Sequence, residues 1–98
     1  MARSLSTKKN RDRSEIIMDI LRIAKEEQDG GAKITRLIYK ANLNYRIAKD
    51  ILDDLIEKNL VEVVESEGHA YYRPTSKGLQ VLELLEKYGI FGSKRNPF

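Results

Sequence analysis

Between Ile34 and Leu60 the stretch ITRLIYKANLNYRIAKDILDDLIEKNL carries two short helical periodicities that break at Ala41-Asn42-Leu43-Asn44. That break constrains the chain more than any other feature. Asn42 can end the first helix in the left-handed conformation, which asparagine tolerates better than most residues, and Asn44 can cap the second through its side chain. The second helix is expected from about Tyr45 to Lys58, with Ile47, Ala48, Ile51, Leu52 and Leu55 inward, Ile56 at the margin, and Arg46, Lys49, Asp50, Asp53 and Glu57 outward. A β-branched stretch from Leu60 to Val64 follows at once. Glu67-Gly68 then marks a turn, and His69 to Arg73 returns as the second strand of a hairpin.

The flanking segments supply further helices. Ser14 and Glu15 read as the start of a first helix, with Ile17, Ile20, Leu21 and Ala24 on one face, Ile16 and Ile23 widening the apolar stripe, and Gly30-Gly31 ending it. Ala32-Lys33-Ile34 suits a brief strand pairing with the hairpin, and Thr35 suits the cap of the helix that buries Leu37, Ile38 and Ala41. Thr75 caps a last helix in which Leu79, Leu82 and Leu85 lie on one side and Val81, Leu84 and Tyr88 on an adjoining side. One small core cannot cover both. The expected fold is therefore mainly α with a small β-hairpin: a winged helix-turn-helix with an additional C-terminal helix, in a single domain over 14–88 between a basic tail at 1–13 and a short tail at 89–98.

Charge is unevenly distributed along the chain. Residues 1–13 carry five cations against Asp12, a balance of +4, whereas 14–88 hold 11 basic and 14 acidic residues, a balance of −3. The basic character lies in the tails, and a folded body that presents a basic face must separate its charges in space. Lys8, Lys9, Arg11 and Arg13 fit a nucleic-acid-binding arm as well as a solubilising tail, and composition alone does not choose. No apolar run approaches the roughly 18 residues of a membrane span, and Met1 leads into a polar stretch without a secretory signal, so the expected location is cytoplasmic.

The helix from Tyr45 carries its charges against its own dipole. Arg46 and Lys49 stand in the first turns, and Asp53, Asp54 and Glu57 stand toward the end. Each helix end favours the opposite sign, by a few tenths to about 1 kcal/mol per charge, so something other than helix stability placed these residues. A polyanion approached by the basic half would account for them. Arg36, Asn44, Tyr45, Arg46 and Lys49, together with His69, Tyr71 and Arg73 on the outer face of the hairpin, are the candidate contacts: cations and N–H donors suit phosphates, and flat groups such as Arg or Asn suit base edges. Intrahelical ion pairs of Arg46 with Asp50 and Lys49 with Asp53 are the plainer explanation of the same residues, and Tyr45 and Tyr71 are open to a reading as packing aromatics.

Catalysis has little support. One histidine, no cysteine, no phosphate-cradling glycine loop and no nucleophile motif leave no constellation for an enzyme, and neither a metal nor a cofactor is implied. His69 lacks a second histidine to complete a metal site, and Asp50, Asp53 and Asp54 are better explained by ion pairs than by a cation.

The segments ANLNYRIAKDILDDLIEKNLVE and YYRPTSKGLQVLE, with the basic start leading into SEIIMDIL, resemble the small archaeal winged-helix DNA-binding proteins of the crenarchaeal chromatin-associated type. The resemblance spans about residues 8–88 and is most specific at 41–45 and at Thr75-Ser76-Lys77-Gly78. It implies binding of double-stranded DNA by a homodimer joined through a long C-terminal helix, with the recognition helix starting at Tyr45 and the wing around Gly68. Here the last helix ends near Tyr88, which bears on the dimer geometry, and Pro74 stands where winged helices often have leucine.

These readings combine into a non-enzymatic, nucleoid-associated protein, either a transcriptional regulator or a chromatin component. It is expected to bind duplex DNA as a homodimer through Val81, Leu84, Leu85 and Tyr88, with any small-molecule effector unknown. The alternative is a winged helix used for protein–protein contact, in which the acidic end of the Tyr45 helix and the surplus apolar surface of the last helix do the work.

Overall fold

A computed structural model describes residues 12–27 and 31–88. Its elements run α1 (Arg13–Glu26), α2 (Ile34–Ala41), α3 (Tyr45–Glu57), β1 (Val61–Ser66), β2 (His69–Pro74) and α4 (Ser76–Tyr88). The order is that expected from the sequence, as are the end of α2, the start of α3, the turn between the strands and the start of α4. Lys8, Lys9, Arg11, Gly30 and the tail at 89–98 lie outside the described residues.

Helix α1 begins earlier than expected. Its cap is Asp12, not Ser14: the Asp12 carboxylate accepts from the Glu15 backbone N–H at 3.0 Å while the Glu15 side chain accepts from the Asp12 N–H at 3.3 Å. This reciprocal pair satisfies two amide donors that the first turn of a helix would otherwise leave open. Helix α2 also starts before its expected cap, at Lys33, with no side-chain bond, so Thr35 falls within the first turn. Other caps are as expected. Asn42 ends α2 at φ 58° and ψ 55°, with its N–H bonded to the Ile38 carbonyl, and the Asn44 side chain accepts from the Ile47 N–H at 2.8 Å. Thr75 Oγ1 accepts from the Gly78 N–H at 3.0 Å and donates to the Asn59 carbonyl at 2.7 Å, tying the start of α4 to the end of α3.

The two strands pair antiparallel, from Val61 opposite Pro74 to Ser66 opposite His69. Glu67 and Gly68 have φ of 53° and 81°, and a two-residue loop with both φ positive matches the right-handed twist of its strands. Ala32 adds a single antiparallel bridge to Tyr72, through bonds of 2.9 and 2.8 Å. The expected third strand is thus one residue long, because Ile34 already belongs to α2. Gly31 precedes it at φ 126°, and a Cβ there would come within 2.6 Å of the Tyr72 carbonyl oxygen, so the bridge requires glycine.

The core lies between α1, α2, α3, the base of the hairpin and α4, and its fully buried members include Ile20, Leu21, Leu37, Leu52, Leu55, Val61 and Leu82. No buried polar residue occurs among the described residues. Four inward assignments need correction, the first being Ile38, which is only half-buried because the buried line of α2 runs through Leu37 and Ala41. Ile47 is 40% exposed, since at the first turn of α3 it projects past the edge of the core. Leu79 and Leu85 are not buried either, because the buried line of α4 runs through Gly78 and Leu82. A Cβ at Gly78 would collide with the Leu60 carbonyl, and that close approach turns the helix.

Candidate nucleic-acid interface

Helix α3 projects its first turns into solvent. Tyr45 is 59% exposed, and Arg46 is exposed and makes no ion pair or hydrogen bond among the described residues. The expected Arg46–Asp50 pair does not form. Lys49 does meet Asp53, at 3.2 Å, and this hydrogen bond, followed by the charge of Asp53, raises the lysine pKa above its ordinary value. Lys49 is therefore fully charged at neutral pH, held by a surface contact of small worth that a stronger anion can replace. Asn44 has its side-chain oxygen committed to the cap, which leaves the amide NH₂ as donor.

The other end of α3 is tied into the protein. Asp54 accepts from Lys58 Nζ at 2.7 Å and from Arg13 at 3.0 Å, and these bonds, that from Lys58 foremost, hold its pKa below the ordinary carboxylate value. Arg13, expected to belong to the basic tail, is thus the first residue of α1 and is anchored to α3.

The hairpin carries the second group of candidates. His69 and Arg73 are exposed, Tyr71 is half-buried, and Tyr72 is buried on the reverse face, as the alternation predicted. Arg73 donates to Glu62 across the strands at 2.7 Å. The rings of His69 and Tyr71 meet edge to face, with centroids 6.5 Å apart, and the Lys33 ammonium lies 5.9 Å from the Tyr71 centroid. Arg36 donates to Glu27 at 3.1 Å and shares with Tyr71 a cleft of about 430 Å³, also lined by Lys33, Thr35 and Tyr39.

The candidate residues thus form two groups: Asn44, Tyr45, Arg46 and Lys49 at the start of α3, and Arg36 with His69, Tyr71 and Arg73 beside the hairpin. Among the described residues no hydrogen bond, ion pair or ring contact joins the groups. Lys33 and Tyr39 escaped the sequence reading. Tyr39, 80% exposed and three residues after Arg36, could have been found as an aromatic off the inward face of α2.

Helix α4 leaves an apolar stripe uncovered. Val81 and Leu85 are half-buried, and Leu84 and Tyr88 are 51% and 64% exposed; the four recur at i, i+3, i+4 and i+7. Among the described residues no helix is long and apolar enough to cross a membrane, and no cluster of acidic or histidine side chains is arranged to hold a metal ion.

A family model described as winged helix-turn-helix matches residues 10–90. No curated protein compared with the chain matches it. Among solved structures the chain is similar to Sso10a-2, a DNA-binding protein from Sulfolobus solfataricus, at 28% identity and a TM-score of 0.71 over 86% of this chain and 84% of that one. It is also similar in fold to AF1382 from Archaeoglobus fulgidus, at 18% identity and a TM-score of 0.67 over 93% of this chain and 99% of that one. A possible HxlR family transcriptional factor from Thermoplasma volcanium shares 19% identity, with a TM-score of 0.66 over 97% and 85% of the two chains. The first of these agrees with the resemblance to small archaeal winged-helix proteins. With the match running through all four helices and the hairpin, the chain belongs to the winged helix-turn-helix family.

Proposed function

We propose that this protein binds double-stranded DNA as a homodimer, with α3 as recognition helix and the β1–β2 hairpin as wing, and that it acts as a transcriptional regulator or chromatin component without enzymatic activity. The observation that carries this reading is the start of α3, where an unpaired Arg46 and a loosely held Lys49 stand in solvent against the helix dipole. Likeness to a DNA-binding protein at 28% identity supports it. Arg36, His69, Tyr71 and Arg73 contribute from the wing side, and Lys8, Lys9 and Arg11 from an arm. The apolar stripe of α4 supports pairing with a second copy, since burying it recovers roughly 25 cal/mol per Å². In this reading the protein works in the cytoplasm, at the nucleoid.

The test is electrophoretic mobility shift on blunt duplex DNA at two salt concentrations. Neutralising about six phosphates predicts a fall in affinity of roughly a thousandfold between 50 and 200 mM salt. Affinity indifferent to salt would sink the DNA reading and leave the protein-contact alternative, which the acidic end of α3 favours. Removing residues 1–11, so that the Asp12 cap is kept, should weaken binding without lowering the melting temperature.

A further inference from the structure

The cleft beside the hairpin has a composition that the fold does not need. Tyr39 is 80% exposed and adds nothing to the core, and Tyr71 is only half-buried. Both rings line the same concavity as Lys33 and Arg36. At about 430 Å³ the space falls within the roughly 300–1,000 Å³ usual for small-molecule sites. Its charged side chains are Lys33, Arg36 and Glu27, a surplus of one positive charge. The Arg36–Glu27 bond engages Nε of the guanidinium, and Arg36 is half exposed, so further N–H donors remain for an anion. Lys33 is placed over the ring of Tyr71, where an ammonium can turn from the π face to a phosphate while the face receives a planar group.

Ring faces for a flat group, two cations for an anion and one carboxylate for amino or hydroxyl donors describe a nucleotide. We infer that the cleft between α2 and β2 binds a nucleoside monophosphate unit, with its base on Tyr71 and Tyr39 and its phosphate on Lys33 and Arg36. The unit can come from a free nucleotide or from an unpaired nucleotide at the end of a DNA strand. The cleft shares Arg36 and Tyr71 with the wing side of the proposed DNA surface, but none of its residues belongs to α3, so nucleotide binding can be tested apart from the reading of duplex DNA by that helix.

The test is titration of the ¹⁵N-labelled full chain with adenosine 5′-monophosphate, with inorganic phosphate and adenosine as separate arms. Saturable amide shifts are expected at Gly31, Lys33, Arg36 and Tyr71 with the monophosphate, and weaker binding with either part alone. Tyr39→Ala, at a site too exposed to matter for folding, and Arg36→Ala should each weaken binding about tenfold or more, whereas Tyr71→Phe keeps the ring and should bind nearly as well. Absence of shifts up to millimolar nucleotide, shifts that phosphate alone reproduces, or unchanged affinity in both alanine variants would overturn the site. Blunt and 5′-overhang duplexes separate the sources: an overhang preference that Tyr39→Ala abolishes assigns the unit to DNA, and nucleotide binding without that preference assigns it to the free molecule. Arg46→Ala should leave nucleotide binding intact, so the failure of one proposal is distinguishable from failure of the other.

Discussion

Helices α3 and α4 are both 13 residues long, and each leaves a surface that the fold does not use, but the surfaces are of opposite kinds. In α3 the inward line through Ala48, Ile51, Leu52 and Leu55 is buried, and most of what remains is polar, with its cations at the start beside the exposed Tyr45 and Ile47. In α4 only Gly78 and Leu82 are buried, and what remains includes an apolar stripe of Val81, Leu84, Leu85 and Tyr88. Water solvates a loose arginine at little cost, but exposed leucine and tyrosine forgo the burial that drives folding. Under the proposed function the comparison assigns the two helices different partners, a charged one at α3 and an apolar one at α4.

The sharpest way to break this comparison is Leu84→Glu. With Leu84 51% exposed, a charge there should leave the fold intact, unlike Leu82→Ala, which would cost about 2–5 kcal/mol in the core. Sedimentation should change from dimer to monomer, and DNA affinity should fall about a hundredfold or more as two linked recognition helices become one. A wild type that is already monomeric at micromolar concentration removes the apolar partner from the account, and a variant that stays dimeric moves the interface elsewhere.

Next in size is Arg46→Ala, which should cost about 1–3 kcal/mol of DNA binding per site, measured by titration of a fluorescent duplex. If the loss falls at one base position, Arg46 reads sequence; if it is uniform across duplexes, Arg46 contacts phosphate. Melting temperature supplies the control, because an exposed cation opposing the dipole contributes nothing that its removal could destabilise. Asp53→Ala should act more weakly and in the other direction. It releases Lys49 from its 3.2 Å contact and removes a negative charge near the proposed DNA, so affinity should stay equal or rise. A loss comparable to that of Arg46→Ala would mean that both changes act through helix stability, and the contrast within α3 would collapse.

How far these features could be read beforehand follows from how local their causes are. The Asn42 and Asn44 caps, the Glu67-Gly68 turn and the buried line of α3 depend on neighbours a few residues apart, and periodicity with turn chemistry exposes them. The α1 cap is equally local, an Asp12-x-x-Glu15 box, but Asp12 stands inside a basic run that masks it as the start of a helix. The face of α4 is another matter. It is set by the contact of Gly78 with Leu60, eighteen residues away, which no helical wheel contains. The cleft is less legible still: Ala32 must bridge Tyr72 before Arg36, Tyr39 and Tyr71 can share a concavity.

The smallest effect concerns the anchored end of α3. Asp54 takes bonds from Lys58 and Arg13 that lower its pKa in the folded protein, so folding favours the ionised form. A depressed carboxylate contributes stability that is fully present above its unfolded value, about 3.9, and is lost as pH falls through the folded value below it. Near neutral pH, Asp54→Asn should therefore lower the melting temperature by roughly a degree or two, as expected for exposed ion pairs. At pH 3 and below, the difference between variant and wild type should shrink toward zero. Thermal melts at pH 7, 4 and 2.5 measure this directly. A difference that persists unchanged into acid would show that the side chain acts through its shape or neutral hydrogen bonds and not its charge, and the anchoring of α1 to α3 would then need another source.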